Sequence, residues 1–408
     1  MRRYASSPRD AAPEPSGTAP IRVEVTQSLR DVQVYPFSEW NARCKAVGDR
    51  GLDVIRLDIG NPDLPPPDAV IEAATSALHS PHDHRYPGYS GIKELRHAIA
   101  AYYRRRFGVS LDADAQVSVL LGSKEGIIHL QRALLNPGDV VLVPDPGYTP
   151  YVAGARMAGA DVVRFPLAAD GAFDFEAIPE GAVRRARLIW LNYPNNPTGG
   201  VAEREALERA VAFARQHDLL LCHDAAYTDV RFGTYMPMSL LGIPGAADVA
   251  VEFNSLSKTY NMPGWRIGYA VGHPHALRLL ELVKSNIDSG MFLPLQRAAV
   301  AALGTDDAWI ARRNGVYEDR LKTLASILSR VGLAPVVPSA THYLWVPVPA
   351  AETAESFAIR WLEAAGVAVA PGTFFGPGGE GFLRVSATVP DEQIDQVEER
   401  LRRWAVAD

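Results

Sequence analysis

A chain of 408 residues with 47% hydrophobic and 22% charged side chains is long enough for two packed units and too apolar for an intrinsically disordered protein. Its formal net charge of -6 offers no basic surface to nucleic acid, and its two cysteines, Cys44 and Cys222, supply neither a disulfide framework nor a CxxC metal spacing. No apolar run reaches the roughly 18 to 20 residues of a membrane span, and the first residues lack the apolar core of a signal peptide, so a cytoplasmic location is expected.

In chain order, residues 1–20 are rich in Pro, Ala, Ser and Arg without apolar periodicity and read as a disordered tail. Residues 21–60 are expected to form an N-terminal arm joined to part of a small unit, residues 61–295 a large unit, and residues 296–408 the rest of the small unit. Short runs with strand character span Val117 to Leu121, Val140 to Val143, Val162 to Phe165, Leu188 to Asn192, Leu219 to His223, Val249 to Phe253 and Ile267 to Val271. Helical spacing lies between several of them, as in Glu203 to Gln216, where Leu207, Ala210, Val211 and Ala214 recur. The alternation predicts an α/β unit with a mostly parallel seven-stranded sheet buried on both faces. Beyond about residue 300, long helices give way to short strands around Tyr343 to Val346, Val367 to Ala370 and Phe382 to Ser386, then a last helix from Asp391. That is the pattern of a smaller α+β unit.

Five segments carry residue types that need special surroundings. Lys258, in NSLSKTYNMPGWRIG, follows a strand and stands among Ser255, Ser257 and Arg266. A lysine acts as an amine near neutral pH only where burial or a neighbouring cation lowers its pKa. In LLGSKEGI, Gly122 to Gly126 join a strand to the apolar run Ile127 to Leu135; free N–H groups at such a helix start, with Lys124 beside them, suit an anion. The strand of LLLCHDAAY ends in Asp224, where α/β folds bind ligands. Arg384 lies inside the apolar strand of GEGFLRVSAT, and a buried guanidinium suits a carboxylate. Gly60, in LDIGNPDLPPP, would let a substrate carboxylate approach the backbone.

Together with PDPGYTPY, LNYPNNPTGG and YPGYSGIKELR, these segments resemble the class I/II aminotransferases of the type I pyridoxal-phosphate (PLP) fold. The similarity is strongest to the LL-diaminopimelate and alanine-transaminase-like branches, from about Val32 to the C-terminus. The resemblance implies Lys258 as the cofactor lysine and Asp224 as the anion at the ring nitrogen. It places Ser123, Lys124, Ser255, Ser257 and Arg266 at the phosphate, and Tyr148 against the ring face. Asn196 and Tyr227 fall at the phenolic oxygen, and Arg384 at the substrate α-carboxylate. It further implies that Tyr35 faces the substrate and that Tyr86 reaches the phosphate held by the neighbouring subunit, hence a homodimer with shared sites. The implied reaction is ping-pong transfer of an amino group from an L-amino acid to a 2-oxo acid, with no nucleic-acid or membrane partner and no metal.

Other PLP chemistry, namely elimination, replacement, cyclisation or amine oxidation, keeps the same motifs and stays open. A non-catalytic regulator fits poorly with Lys258, Asp224 and Arg384 together. A nicotinamide dehydrogenase lacks its GxGxxG. Ala225, Thr149 and His342 depart from the family pattern and stand beside motif residues, where each would reshape the pocket. His342 is read first as a packed histidine. Asp288, in NIDSGMF, is read either as a partner for a cationic substrate end or as a helix-terminal surface residue.

Overall fold

Short runs of Val, Leu and Ile alternate their side chains above and below the backbone, so a sheet built from them can be buried on both faces. The computed structural model describes residues 23–167 and 173–407; the expected tail at residues 1–20 lies outside them. Its strands are β1 (Ile55–Arg56), β2 (Val117–Leu120), β3 (Val140–Asp145), β4 (Asp161–Pro166), β5 (Ala186–Asn192) and β6 (Leu220–Asp224). There follow β7 (Ala250–Ser255), β8 (Gly268–Gly272), β9 (Tyr343–Pro347), β10 (Val367–Ala368), β11 (Ala370–Pro371) and β12 (Phe382–Ser386).

Seven of these form one sheet in the order β2-β8-β7-β6-β5-β3-β4. Only β8 runs against its neighbours: it is antiparallel to both β2 and β7, while the remaining pairs are parallel. On one face Val141, Val143, Trp190 and Phe253 pack under the helices Ser123–Leu134 and Pro274–Lys284. On the other, Val140, Leu142, Ile189 and Leu191 pack with the helices Lys93–Phe107 and Arg204–Gln216. In the latter, the expected Leu207, Ala210, Val211 and Ala214 are all buried.

A second core gathers β9, β12 and the helix Ala354–Ala365 around Trp361, Leu344 and Val385, and includes Trp40, Cys44 and Val47 of the helix Pro36–Asp49. Register in β1 and β10 ties the N-terminal segment to this core, with Ile55 opposite Val367. The helix Leu293–Leu303 buries Ala298, Ala299 and Ala302 in the first core, as does Ile310 at the start of the helix Asp307–Arg330. From Tyr317 onward that same helix serves the second core. We therefore propose that the chain passes between units within Asp307–Arg330 rather than at residue 296.

The strand ends that matter lie at one edge of the sheet. Asn192 is opposite Asp224, Asp224 opposite Phe253, and Gly268 opposite both Ser255 and Leu120. The carboxyl ends of β2, β5, β6 and β7 thus converge, the usual place for a ligand in such a fold.

Gly268 holds two of these turns together. A Cβ on it would lie 2.5 Å from the Ser123 backbone nitrogen and 3.0 Å from the Asn254 carbonyl oxygen, neither of which is a flexible side chain. Gly268→Ala is therefore expected to destabilise the fold by about 1–3 kcal/mol through overpacking, measured by urea unfolding. An unchanged midpoint would mean that the Ser123 turn gives way without cost.

Candidate functional site

The loop after β5 is built by asparagines. Asn192 accepts the Asn196 N–H through Oδ1 at 2.8 Å and donates Nδ2 to the Asp224 carbonyl at 2.7 Å, which locks the ends of β5 and β6 together. Asn195 Oδ1 accepts from both the backbone N–H and the hydroxyl of Thr198, at 3.0 and 2.8 Å, so the turn closes on itself and leaves Asn196 facing inward. After β2 the helix begins at Ser123, ahead of the expected apolar run at Ile127. Ser123 and Lys124 are thus its first turn, whose N–H groups have no partners within the helix. After β7, Ser255 Oγ accepts the Ser257 N–H at 3.2 Å and caps the short turn that presents Lys258. Arg266 adopts the left-handed backbone region at φ 56°, and its guanidinium lies against Gly122, where a Cβ would collide with it.

These turns surround a cavity of about 340 Å³ whose lining includes Tyr35, Gly60, Ser123, Lys124, Tyr148, Asn196, Asp224, Tyr227, Ser255, Ser257, Lys258, Arg266 and Arg384. Every expected site residue but one is therefore in a single cavity. The exception is Tyr86, which is 89% exposed and outside the lining. Four cationic side chains face the cavity against one carboxylate, Asp224.

Arg384 is buried. It donates Nη1 to Asn196 Oδ1 at 2.7 Å and Nη2 to the Asp58 carbonyl at 2.6 Å, and its guanidinium lies 4.2 Å from the centre of the Tyr343 ring and 4.7 Å from that of Phe375. No carboxylate partners it among the described residues, so its remaining protons are available to one. Lys258 Nζ donates to the Gly60 carbonyl. Burial lowers its ammonium pKa; Tyr343 opposes the shift, and Arg384 and Arg266 add to it. The room that Gly60 leaves is filled by the Tyr343 hydroxyl.

At the floor, Asp224 Oδ2 accepts from the Tyr151 hydroxyl at 2.9 Å, while the buried Oδ1 has no hydrogen-bond partner of normal geometry among the described residues. Burial pushes this carboxyl up, and the Tyr151 bond and nearby His223 only partly offset it. A cationic N–H at Oδ1 would restore the carboxylate.

The sequence profile of the family "Aminotransferase class I and II" matches residues 52–401. The chain belongs to the class I and II aminotransferases. It is a PLP-dependent enzyme that moves an amino group between an amino acid and a 2-oxo acid. The aminotransferase is 44% identical over 379 residues to the LL-diaminopimelate aminotransferase of Syntrophobacter fumaroxidans, covering 92% of this chain and 98% of that protein. It is 46% identical over 376 residues to that of Desulforudis audaxviator, covering 92% and 96%. Among solved structures, substrate-bound BacF from Bacillus subtilis is 35% identical with a TM-score of 0.89, covering 94% of this chain and 98% of that one. A probable N-succinyldiaminopimelate aminotransferase from Thermus thermophilus is 39% identical with a TM-score of 0.85, covering 90% and 99%.

The cavity of the aminotransferase fits PLP. The unpaired Oδ1 of Asp224 suits the protonated ring nitrogen, and the helix start at Ser123 with Lys124 and Arg266 suits the phosphate. Bound there, the cofactor supplies an electrophilic carbon and a ring that delocalises the electron pair left when the Cα proton departs.

Sequence reasoning missed Tyr343, Tyr151, Asn192, Phe37 and Phe375. Two of them carry a signal: Tyr151 closes the same PDPGYTPY motif as Tyr148, and Asn192 ends a strand one position ahead of a proline-rich turn. Of the departures from the family pattern, Thr149 lines the cavity, whereas Ala225 is buried and outside the lining. Asp288 is not in the lining; it pairs at 2.6 Å with the buried Lys284, the last residue of the helix Pro274–Lys284. Among the described residues no helix is long and apolar enough to cross a membrane.

His342 is fully buried behind Tyr227 and against Tyr317, whose ring centre is 4.4 Å away, and neither ring nitrogen has a hydrogen-bond partner among the described residues. Burial, then Arg313 and Lys258, holds its imidazole well below the ordinary 6.5. Below that pH the unfolded chain takes up a proton that the folded chain refuses, so stability falls as pH falls. His342→Phe is expected to stabilise the enzyme by about 1–3 kcal/mol at pH 8 by removing the unpaired nitrogens. It should also remove an acid sensitivity of up to about 1.4 kcal/mol per pH unit. Urea midpoints at pH 5, 6 and 8 test both; parallel wild-type and variant profiles would contradict the second.

Proposed function

We propose that the amino donor is LL-diaminopimelate or a closely similar diamino dicarboxylic acid, and that 2-oxoglutarate or a related 2-oxo acid accepts the amino group in a ping-pong cycle. The observation that carries this reading is the likeness, at 44% and 46% identity over 92% of this chain, to two curated relatives whose names agree with it. Thr149 in the lining favours a second reading, a specialised biosynthetic amino acid of similar size.

The residues take their roles from their contacts. Arg384 holds the α-carboxylate, its geometry preset by Asn196 and Asp58. The Asn196 amide, having spent Oδ1 on Arg384, turns Nδ2 toward the cofactor's phenolic oxygen, where Tyr227 joins it. Ser123, Lys124, Ser255, Ser257 and Arg266 hold the phosphate, Tyr148 covers the ring, and Asp224 keeps the ring nitrogen protonated. Lys258 Nζ, released from the cofactor, takes the Cα proton and returns it on the other side of the transfer. Gly60 and Tyr35 border the substrate. The enzyme works as a cytoplasmic homodimer in which the exposed Tyr86 reaches the phosphate of the partner subunit's site.

Mixed with LL-diaminopimelate in a panel of L-amino acids and no oxo acid, the holoenzyme should lose the visible absorbance of its cofactor, and 2-oxoglutarate should restore it. A response to another amino acid alone would replace the donor. Arg384→Lys, which loses the bidentate fork, is expected to lower kcat/KM for the donor about 100-fold, roughly 2–3 kcal/mol. A change below threefold would remove Arg384 from the carboxylate.

A further inference from the structure

Tyr343 is buried in β9, two residues along and one strand across from Arg384 in β12, and both side chains leave the same face of that small sheet. Its ring covers the Arg384 guanidinium at 4.2 Å, its hydroxyl is 2.7 Å from that of Tyr227, and the end of its phenol rests on Gly60, whose carbonyl holds Lys258. It is the side chain that touches the substrate clamp, the lysine strap and the phenol beside the cofactor together.

A bond between two hydroxyls has a direction. If Tyr343 donates to Tyr227, the Tyr227 proton is free for another acceptor; if Tyr227 donates, that proton is used within the pair. We propose that Tyr343 is a positioning residue that donates to Tyr227 and so directs the Tyr227 proton to the cofactor's phenolic oxygen, while its ring braces Arg384. The inference rests on the placement of Tyr227 given above.

The charges around the pair support that direction. Burial pushes both phenols up, and at Tyr227 nothing outweighs it. Tyr343 has two cations close by, Arg384 4.2 Å from its ring centre and Lys258 on the carbonyl of the Gly60 that its hydroxyl rests on, and both draw its phenol down against burial. A phenol beside cations is the better donor, and Arg384 lies against the ring of Tyr343. By accepting that bond, Tyr227 becomes in turn a stronger donor to a third group, as hydrogen bonds in a chain polarise one another.

The test is the pH titration of the bound cofactor's visible absorbance in wild type, Tyr343→Phe, Tyr227→Phe and the double variant. A donor at the phenolic oxygen favours its ionised form and keeps the midpoint low. Tyr343→Phe should raise the midpoint by about half a pH unit, Tyr227→Phe should raise it further, and Tyr343→Phe should add nothing in the Tyr227→Phe background. If Tyr227→Phe leaves the midpoint unmoved, the placement of Tyr227 fails. If Tyr227→Phe moves it but Tyr343→Phe does not, or if the two shifts add, the role of Tyr343 fails. For the bracing, binding of glutarate, which has no amino or oxo group, should be unchanged in Tyr343→Phe and weakened about fivefold in Tyr343→Leu, which loses the ring; equal binding to both would overturn it.

Discussion

A guanidinium buried with no carboxylate partner among the described residues organises this protein. Arg384 is held by an amide from the large unit, a backbone carbonyl from the N-terminal segment, and aromatic rings of the small unit. Each contact offers partial negative charge without neutralising the cation. Removing two charges from water is costly even when they pair, so a lone cation held this way needs several fixed dipoles. Those dipoles come from segments far apart in the chain, and bringing them together is what closes the cavity between the two units.

The sheet edge solves a related problem in two ways. His223 and Asp224 are consecutive in β6 and so face opposite sides. Behind the sheet, Glu252 receives Tyr103, Ser239, the Leu240 N–H and His223. Burial alone would raise its carboxyl, but these partners bring it below the usual value. Asp224, with Tyr151 as its hydrogen-bonded phenol and one oxygen unpaired, is pushed up instead. Two buried carboxylates one strand apart thus have opposite character: one is satisfied by the protein, and the other keeps an oxygen for the proposed contact with the ring nitrogen.

How much of this was legible depended on the range of the interaction. The strand runs fell within a residue or two of β2 to β8, because continuous Val, Leu and Ile stretches bounded by polar turns leave few other solutions. The residues that line the cavity were also legible, several of them in local turns whose geometry is set by their own neighbours, as Asn195 and Thr198 set that of Asn196. Tyr343 was not. In THYLW it is one more aromatic residue in an apolar strand, and only the register of β9 against β12 puts its ring over Arg384. Of the two expectations for Asp288, the one in this cavity is not met, because it stands just past the end of the helix Pro274–Lys284, where the buried Lys284 takes it as a counter-charge.

By itself, the sequence determined the α/β alternation, which follows from backbone periodicity, and through the resemblance of its short turn motifs to the class I and II aminotransferases it pointed to the cofactor. Tertiary structure decided which groups touch across the two units: the pairing of Tyr227 with Tyr343, the dipoles around Arg384, and the exclusion of His342 and Ala225 from the lining. The physical reason is that a hydrogen bond or a ring contact is decided over a few ångströms, while the partners here are joined by more than a hundred residues of intervening chain.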